Sequence, residues 1–244
     1  MSEVVYVLTV SGSDSSGCSG MQADNRAIHA AGAMPLNVIS ASTLQTPEGL
    51  HALNLSDAAE VEQQINALLD AYSVRAVKIG MLGNGAIVEA VVRTLEVRAE
   101  RPFVVLDPVV CSSSGSALLD ASGLEVLNER LLPLVGLVTP NLNEMPLLRV
   151  PESVAVLFKG GHAEGVECID RLTLPDGRDR EFSAERVETV NTRGTGCALS
   201  AAIAAFIARG NNLPEACARA KHLLHAALEK NRDRVFTGNG PALY

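Results

Sequence analysis

The stretch NTRGTGCALS, residues 191–200, places two glycines, a threonine and a cysteine directly before the apolar run AAIAAFIARG. A Gly-x-Gly turn that enters a helix leaves the first backbone N–H groups unpaired, and with the helix dipole they form an anion site. Such a site suits phosphoryl transfer, which asks a protein mainly to hold spreading negative charge. Gly194, Thr195 and Gly196 are therefore candidates for an anion hole.

Cys197 stands in the first turn of the same predicted helix. Helix N-termini lower the pKa of thiols, so we expect an accessible thiolate that accepts the proton of an attacking hydroxyl. The alternative is a small residue that caps a buried helix. The five cysteines are widely spaced and contain no C-x-x-C pair, so reduced thiols are expected instead of a zinc site or disulfides.

Three further segments place polar residues just after apolar runs. Asp107 follows FVVL, and a carboxylate in that position is more often functional than structural. In TPNLNE, Thr139 to Glu144, one helical turn would put Asn141 and Glu144 on the same face, where they suit hydrated Mg²⁺ beside phosphates. The same pair also fits an N-terminal cap, and both interpretations are compatible. Lys159 precedes two glycines and is a candidate phosphate contact.

The N-terminal stretch SGSDSSGCSG has glycines at the G-x-x-x-x-G spacing of a phosphate loop, at Gly12 and Gly17. The Lys-Ser/Thr pair that completes such a loop is missing, which excludes that motif. What remains is a glycine-rich turn that lets a small ligand approach the backbone. Asp24, four residues after Gly20, is either a charge that complements a helix dipole or an acceptor for ligand hydroxyl or amine groups.

The elements that must position these residues alternate between short apolar strands and amphipathic helices. The predicted strands are Val4–Val10, Asn37–Leu44, Ala76–Ile79, Phe103–Leu106, Leu137–Thr139 and Val154–Phe158. The predicted helices are Gly20–Ala31, Ser56–Ala71 with Ser56 as N-cap, Gly85–Arg98, Ala121–Arg130, Thr195–Arg209 and Leu213–Arg232. Glu167–Thr173 and Arg178–Ser183 flank Pro-Asp-Gly and predict an edge hairpin. The pattern predicts one α/β domain, residues 1–244, whose parallel sheet is covered on both faces and binds ligands at the carboxyl ends of its strands.

Composition excludes several partners. The 244 residues carry a net charge of −8 and include no Trp, which argues against nucleic acid or an anionic membrane as partner. The N-terminus has an acidic residue where a signal peptide would be basic, and no apolar run is long enough to cross a membrane. A cytoplasmic protein is expected.

The loop sequences, taken in chain order, resemble those of a known family. SGSDSSGCSGMQAD, SASTLQTPEG, VKIGML, VLDPVVCSSSG, VTPNLNE, VLFKGGH and NTRGTGCALSAAIAA resemble the bacterial hydroxymethylpyrimidine/phosphomethylpyrimidine kinases of thiamine biosynthesis, over about Val5 to Pro241. The resemblance implies a ribokinase-like three-layer sandwich and a homodimer. It also implies that ATP and Mg²⁺ are used to phosphorylate 4-amino-5-hydroxymethyl-2-methylpyrimidine and then its monophosphate.

The resemblance also implies roles for single residues. Gln45 matches the residue that hydrogen-bonds the aminopyrimidine, Asp24 and Gly12 match others that line its pocket, and Met81 and Val109 match its apolar wall. The nucleotide and phosphate side is matched by Thr139, Asn141, Glu144 and Lys159, with Asp107 and Glu144 at the magnesium position. Gly194 to Cys197 match the anion hole and the catalytic group.

The chain departs from the family pattern in two informative places. Residues 140–153 leave room for only one short helix, where the family carries a longer helical connection, and Arg193 stands where His is common.

Two alternative functions are considered for the chain. One is a pyridoxal/pyridoxine kinase of the same fold, which the Gln45–Met81 pair disfavours. The other is a pyrimidine-binding protein without catalysis, which the short connection favours and the intact GTGC, NLNE and KGGH motifs disfavour.

Overall fold

The computed structural model describes residues 3–111, 117–161 and 165–244. The serine-rich end of the VLDPVVCSSSG motif and His162 of the KGGH motif lie outside these ranges. Within the described ranges, no helix has both the length and the apolarity needed to cross a bilayer.

The described strands form one nine-stranded sheet in the order β3-β2-β1-β4-β5-β6-β7-β8-β9. The strands are β1 Tyr6–Asp14, β2 Met34–Thr46, β3 Gly49–Leu55, β4 Val74–Ile79, β5 Phe103–Leu106, β6 Leu137–Val138, β7 Ala155–Phe158, β8 Glu167–Thr173 and β9 Asp179–Glu185. The pairs from β2 through β7 are parallel, whereas β3 at one edge and β8–β9 at the other are antiparallel. This confirms the predicted mostly parallel sheet with an edge hairpin.

Six α-helices cover the two faces of the sheet in the described residues. They are α1 Gly20–Ala30, α2 Ala58–Ala71, α3 Gly85–Glu96, α4 Ala121–Val126, α5 Thr195–Ala208 and α6 Leu213–Lys230. One apolar core joins α1, α5 and α6 to the sheet, and the other joins α2 and α3 to the opposite face. Helix α5 is apolar on nearly every side because the sheet, α1 and α6 all pack against it. The predicted three-layer sandwich is thereby confirmed.

The N-cap of α2 differs from the prediction. Asp57, one residue after the predicted cap Ser56, accepts hydrogen bonds from the backbone N–H groups of Ala59 and Glu60. The Ser56 hydroxyl instead donates to the carbonyl of Ile39. Both residue types are good caps, so tertiary contacts decided between them.

Two strands near the N-terminus are longer than predicted. Strand β1 continues to Asp14, so Gly12 lies in a strand and not in a glycine-rich turn; a register shift between Ser11 and Gly12 accommodates the extension. Strand β2 continues to Thr46 and pairs with β3, which the sequence reading missed. The turn between β2 and β3 consists of Pro47 and Glu48 and is followed directly by Gly49, an ordinary turn signal that was available in the sequence.

Two predicted helices are shorter than expected. The segment predicted as helix to Arg130 is α-helical only to Val126 and continues as a π-helical turn, Leu127–Leu131. The connection over residues 140–153 contains a single 3₁₀ turn, Met145–Leu147, in place of a short α-helix. Side chains that follow β5, β6 and β7 are therefore covered by little secondary structure.

Candidate functional site

The Gly-Thr-Gly-Cys turn opens α5 as predicted. Gly194 is its N-cap with φ +73°, in the left-handed region, and a Cβ there would lie 2.3 Å from the carbonyl oxygen of Cys18. Only glycine meets both demands without strain. The N–H of Thr195 donates only a long hydrogen bond, 3.5 Å, to the carbonyl of Thr192. The N–H groups of Gly196 and Cys197 have no intrahelical acceptors and are available to an anion.

Lys159 lies against this turn. A Cβ added to Gly196 would be 3.4 Å from the Lys159 ammonium. That ammonium lies 2.7 Å from Asp107 Oδ1 and 3.8 Å from Glu144 Oε2, and Thr139 Oγ1 lies 3.3 Å from Asp107 Oδ1. Residues that follow β5, β6 and β7 thus meet the N-terminus of α5 at one edge of the sheet, as predicted for parallel strands.

Asn141 and Glu144 form a reciprocal turn. Asn141 Oδ1 accepts hydrogen bonds from the backbone N–H groups of Asn143 (2.9 Å) and Glu144 (3.0 Å), and Glu144 Oε2 accepts from the N–H of Asn141 (2.8 Å). This is the geometry of a capping box, although only a 3₁₀ turn follows it. The structure thus shows the cap, and the same Glu144 carboxylate faces Lys159; the role of the pair beside Mg²⁺ and phosphates stays a prediction.

The pKa of Glu144 is raised to about 7, chiefly by burial; the cation of Lys159 opposes this rise, and the nearby charge of Asp107 contributes to it. Asp107 is the better anion of the two. Burial alone would raise its pKa, but Lys159 and then Lys78 hold that pKa below the ordinary value.

Asp107 and Glu144 are the carboxylates that could hold Mg²⁺. Within the described residues, no group of three or more His, Cys, Asp or Glu side chains gathers at metal-binding spacing. Two carboxylates are nevertheless a suitable donor set, because Mg²⁺ in kinases is held by one or two carboxylates together with substrate phosphates and water. The buried oxygens of Asp107 and Glu144, now facing the Lys159 ammonium, fit a cation.

The thiol of Cys197 differs from the expectation. Solvent reaches part of this residue, yet its sulfur lies deep enough that burial raises its pKa to about 12. The cation of Lys78 and the backbone N–H of Gly20 oppose this effect, whereas Asp107 and Asp24 add to it. The expectation of an accessible thiolate is therefore wrong for the ligand-free protein, because burial outweighs the opposing effects of Lys78 and the Gly20 N–H.

Asp24 forms a buried ion pair. Both Asp24 and Lys78 are fully buried, and the Lys78 ammonium lies 2.9 Å from both carboxylate oxygens, with hydrogen-bond geometry only to Oδ2. The hydroxyls of Thr9 and Ser11 also donate to Oδ2, each at 2.7 Å. Asp24 therefore lies enclosed among protein groups and does not line an open pocket, unlike the position expected for it.

The sequence reading missed Lys78. A Cβ on Gly80 would lie 2.6 Å from the Lys78 ammonium, so glycine makes room for the charge. Burial alone would lower the pKa of Lys78, but Asp24, Cys197 and Asp107 together more than offset burial and the pKa is raised. The available signal was the run RAVKIG, in which one lysine interrupts an apolar strand that is buried on both faces.

Three of the residues expected to line the acceptor pocket lie together. Met81 and Val109 belong to one small apolar cluster with Ala41 and Leu118, and a Cβ on Gly12 would lie 3.0 Å from the sulfur of Met81. Glycine at position 12 thus allows close packing. This cluster is an apolar wall beside β1 and β2.

Gln45 lines a neighbouring cavity of about 330 Å³. Its strand partner Leu50 packs against the apolar wall, so the cavity and the wall adjoin. Other walls of the cavity come from the loop at Ser16 and Cys18, from Arg193 and from residues 236–240. A larger cavity of about 540 Å³, beside β9 and the start of α6, shares no residue with this site.

The loop that carries Cys18 is held by Asp14. Its carboxylate accepts hydrogen bonds from the backbone N–H and the hydroxyl of both Ser16 and Ser19, at 2.7–2.9 Å. Burial alone would raise the pKa of Asp14, but these hydrogen bonds lower it below the ordinary value. The loop beside the anion turn is therefore preformed.

A second buried ion pair supports the Lys159 loop. Asp170 Oδ1 accepts a hydrogen bond from the backbone N–H of Gly160 at 2.9 Å, and Asp170 Oδ2 lies 2.8 Å from the ammonium of Lys221. A Cβ on Gly160 would lie 1.8 Å from the carbonyl oxygen of Ile169. Strand β8 and helix α6 thus fix the backbone next to Lys159, a support that the sequence reading missed.

Comparisons with known proteins identify the family of this chain. A family model described as phosphomethylpyrimidine kinase matches residues 14–242. The hydroxymethylpyrimidine/phosphomethylpyrimidine kinase of Rhizobium meliloti is 39% identical over 254 residues, which cover 96% of this chain and 94% of the relative. The protein of the same name from Escherichia coli is 36% identical over 255 residues, with 97% and 95% covered.

Solved structures give the same architecture. The phosphomethylpyrimidine kinase of Clostridium difficile superposes with a TM-score of 0.77 at 31% identity, over 92% of this chain and 99% of that chain. The pyridoxal kinase of Bacillus subtilis, solved as an ADP complex, gives a TM-score of 0.86 at 26% identity, over 99% and 97%. The fold is therefore ribokinase-like, and the chain is a kinase that belongs to the phosphomethylpyrimidine kinase family.

Proposed function

We propose that the protein transfers the γ-phosphoryl group of ATP to 4-amino-5-hydroxymethyl-2-methylpyrimidine, and then to the monophosphate formed in that step, in thiamine diphosphate biosynthesis. The observation that carries the proposal is the placement of the Lys159 ammonium against the Gly194–Cys197 turn. An adjoining apolar wall and Gln45 supply a site for a small ring. The names of the curated relatives support this acceptor.

The anion turn and Lys159 have complementary roles in this proposal. The backbone N–H groups of Thr195, Gly196 and Cys197 hold the equatorial oxygens of the phosphoryl group in flight, and Lys159 adds a point charge beside them. Asp107 and Glu144 would hold Mg²⁺, which when bound neutralises phosphate charge. The Thr139 hydroxyl donates to the Asp107 carboxylate, and the Asn141 side chain accepts from the backbone N–H of Glu144.

On the acceptor side, Gln45 hydrogen-bonds the aminopyrimidine, and Met81, Val109 and the bare backbone of Gly12 form the wall against which the ring packs. We assign Asp24 a positioning role, because its carboxylate is engaged with Lys78 behind the anion turn. Together these groups orient the hydroxymethyl oxygen toward the phosphoryl group.

Cys197 enters the reaction as a thiol, since its pKa is raised to about 12 in the ligand-free protein. For this sulfur to accept the acceptor's proton, substrate binding must lower that pKa. The cations of Lys78 and Lys159 already face it and work in that direction. The proposal therefore places proton acceptance in the substrate complex alone.

A second candidate is a pyridoxal kinase. It is favoured by the TM-score of 0.86 to the pyridoxal kinase of Bacillus subtilis, which exceeds the 0.77 to the phosphomethylpyrimidine kinase of Clostridium difficile. Both acceptors are small aromatic rings that carry a hydroxymethyl group. The phosphoryl-transfer groups would be the same, and only the acceptor cavity would differ.

One experiment separates the candidates. ADP release is measured with Mg-ATP and, separately, the hydroxymethylpyrimidine, its monophosphate and pyridoxal at matched concentrations. We expect turnover with both pyrimidines and little with pyridoxal. Turnover with pyridoxal alone would establish the second candidate. Tight pyrimidine binding without ADP release would indicate a binding protein.

We further propose that the protein acts as a homodimer of single-domain chains in the cytoplasm. The single nine-stranded sheet of the described residues supports one domain per chain. Sedimentation equilibrium at micromolar concentration tests the dimer, and a mass of one chain, 25.6 kDa, would contradict it.

A further inference from the structure

The charge that lines the cavity beside Gln45 is positive only. Of the described residues that line it, Arg193 alone is charged, and no Asp or Glu is among them. The other polar lining groups are hydroxyls and amides, from Ser16, Thr237 and Asn239 among others. In a protein with a net charge of −8, a cavity of this composition favours an anionic ligand.

The guanidinium of Arg193 has spare donor capacity. Its hydrogen bond in the described structure is a long one, 3.4 Å from Nη1 to the carbonyl oxygen of Thr46. None of the described carboxylates lies within 4.0 Å of it, whereas 13 ion pairs are formed elsewhere in the described residues. Most of the five N–H donors of Arg193 are thus free for a ligand.

The backbone of Arg193 is fixed. Its N–H donates to the carbonyl of Gly240 at 3.1 Å, and it forms a parallel bridge with Pro241. The next residue, Gly194, begins the anion turn and is locked against Cys18. The guanidinium therefore projects from a rigid point between the anion turn and the cavity wall that carries Gln45.

This position lies on the path that the acceptor must span. A molecule with its ring at Gln45 and its reacting oxygen at the turn passes Arg193. An acceptor with a free hydroxymethyl group brings no charge to that point, whereas its phosphomonoester brings almost two negative charges there. The planar fork of an arginine matches phosphate oxygens in two parallel hydrogen bonds.

We propose that Arg193 forms a binding site for the phosphate of a phosphorylated acceptor, and that it selects the phosphomonoester for the second transfer. The inference rests on the proposed function and assigns to one residue the preference between its two acceptors. The phosphate is held by Arg193 together with the hydroxyl and amide donors of the cavity, while one of its oxygens attacks the γ-phosphorus and ADP leaves. The site strengthens binding of the dianionic ester and not of the neutral alcohol.

The test compares both acceptors in Arg193→Met, Arg193→Lys and the wild type. We expect Arg193→Met to lower kcat/KM for the monophosphate at least 30-fold and kcat/KM for the alcohol less than threefold, because charge-assisted hydrogen bonds are lost only with the former. Arg193→Lys keeps the positive charge but loses the planar guanidinium. Its kcat/KM for the monophosphate should therefore lie between those of the wild type and Arg193→Met. Arg180→Met, on exposed strand β9, is the matched control for loss of one arginine.

A binding measurement supplies a second readout. Calorimetry without nucleotide should show weaker binding of the monophosphate to Arg193→Met and unchanged binding of the alcohol. Inorganic phosphate at millimolar concentration should compete with the monophosphate in the wild type and lose this effect in the variant. Equal loss for both acceptors would overturn the inference by making Arg193 a structural residue, and unchanged kinetics with both would overturn it as well.

The failures can be told apart. A wild-type protein that phosphorylates neither acceptor contradicts the proposed function. A wild-type protein that phosphorylates both, with Arg193→Met equally active on both, contradicts only the role of Arg193. Thermal unfolding of each variant confirms that a fold comparable to that of the wild type is present.

Discussion

At the scale of the residue, Cys197 is a thiol under opposing influences. Burial and two neighbouring carboxylates raise its pKa to about 12, and Lys78 together with the backbone N–H of Gly20 fails to compensate. At pH 7.5 a thiol of that pKa is ionised in roughly one molecule in 30,000, against about one in ten for an ordinary cysteine. The residue that we propose as proton acceptor is thus almost fully protonated in the ligand-free protein.

This predicts slow alkylation of Cys197. With iodoacetamide at pH 7.5, peptide mapping by mass spectrometry should find Cys197 modified at least 100-fold more slowly than Cys111, which is exposed and serves as internal standard. Because alkylation requires the thiolate, equal rates for both cysteines would show that the pKa of Cys197 is not raised.

Glu144 predicts a pH dependence of stability. Its pKa is raised to about 7 in the folded protein against an ordinary 4.5, so the folded state binds the proton more tightly. This contribution is fully present below about pH 4.5 and is lost as pH rises through 7, up to roughly 3 kcal/mol in total. Urea unfolding at pH 5 and pH 8 should show the loss, and Glu144→Gln should reduce it. A wild type and a variant with the same pH dependence would contradict the assignment.

The sequence predicted those site residues that follow strands. Asp107 and Lys159 each have a local signal and follow parallel strands, which bring them to one edge; the Gly194 turn is marked instead by its glycines before an apolar run. The burial of Asp24 could not be predicted, because it depends on the partner Lys78, which lies 54 residues further along the chain. A charged residue inside an apolar strand signals that a partner exists but does not say which.

At the scale of the element, the contact of α6 with β8 holds the Lys159 loop. Lys221 on α6 and Asp170 on β8 are both almost fully buried, and Asp170 also accepts the N–H of Gly160. The strand pair β7–β8 and helix α6 therefore act as one support for the phosphate side of the site.

Removal of one partner should be strongly destabilising. Lys221→Met leaves the Asp170 carboxylate buried without a cation, which costs about 3–5 kcal/mol of unfolding free energy. The double variant Lys221→Met/Asp170→Asn removes the charge and keeps an acceptor for Gly160, so it should recover more than half of the loss. Urea denaturation measures the unfolding free energy of the single and of the double variant. A single variant within 1 kcal/mol of the wild type would contradict the role of the pair.

The elements that the sequence predicted best are those with a strong apolar period. Strand β5 has the predicted bounds, and α1 and α5 differ from them by one residue at their C-terminal ends. Strand β3 was missed because its alternation is weak and its side chains stay half-exposed or exposed at the sheet edge. A segment of that kind becomes a strand only when a neighbour such as β2 offers its hydrogen bonds.

At the scale of the whole molecule, one sheet edge gathers groups from distant parts of the chain. Arg193 reaches the carbonyl of Thr46 across 147 residues, and Gly238 packs against Pro47. The fold class follows from the order of elements, because alternating strands and helices leave few other topologies. The walls of the proposed acceptor cavity cannot be predicted from the order of elements, because they depend on how the last residues of the chain pack against the end of β2.

We propose that the Gly194–Cys197 turn binds the phosphoryl group that is transferred to a pyrimidine alcohol. The most direct measurement compares the wild type with Cys197→Ala, following ADP formation at saturating Mg-ATP and binding of the hydroxymethylpyrimidine by calorimetry. We predict turnover by the wild type, and for the variant a loss of at least 100-fold in kcat with a Kd within threefold of the wild type, as for removal of a proton acceptor. Undiminished turnover by Cys197→Ala would remove the cysteine from the mechanism. A wild type that binds the pyrimidine without forming ADP would contradict phosphoryl transfer to the pyrimidine alcohol.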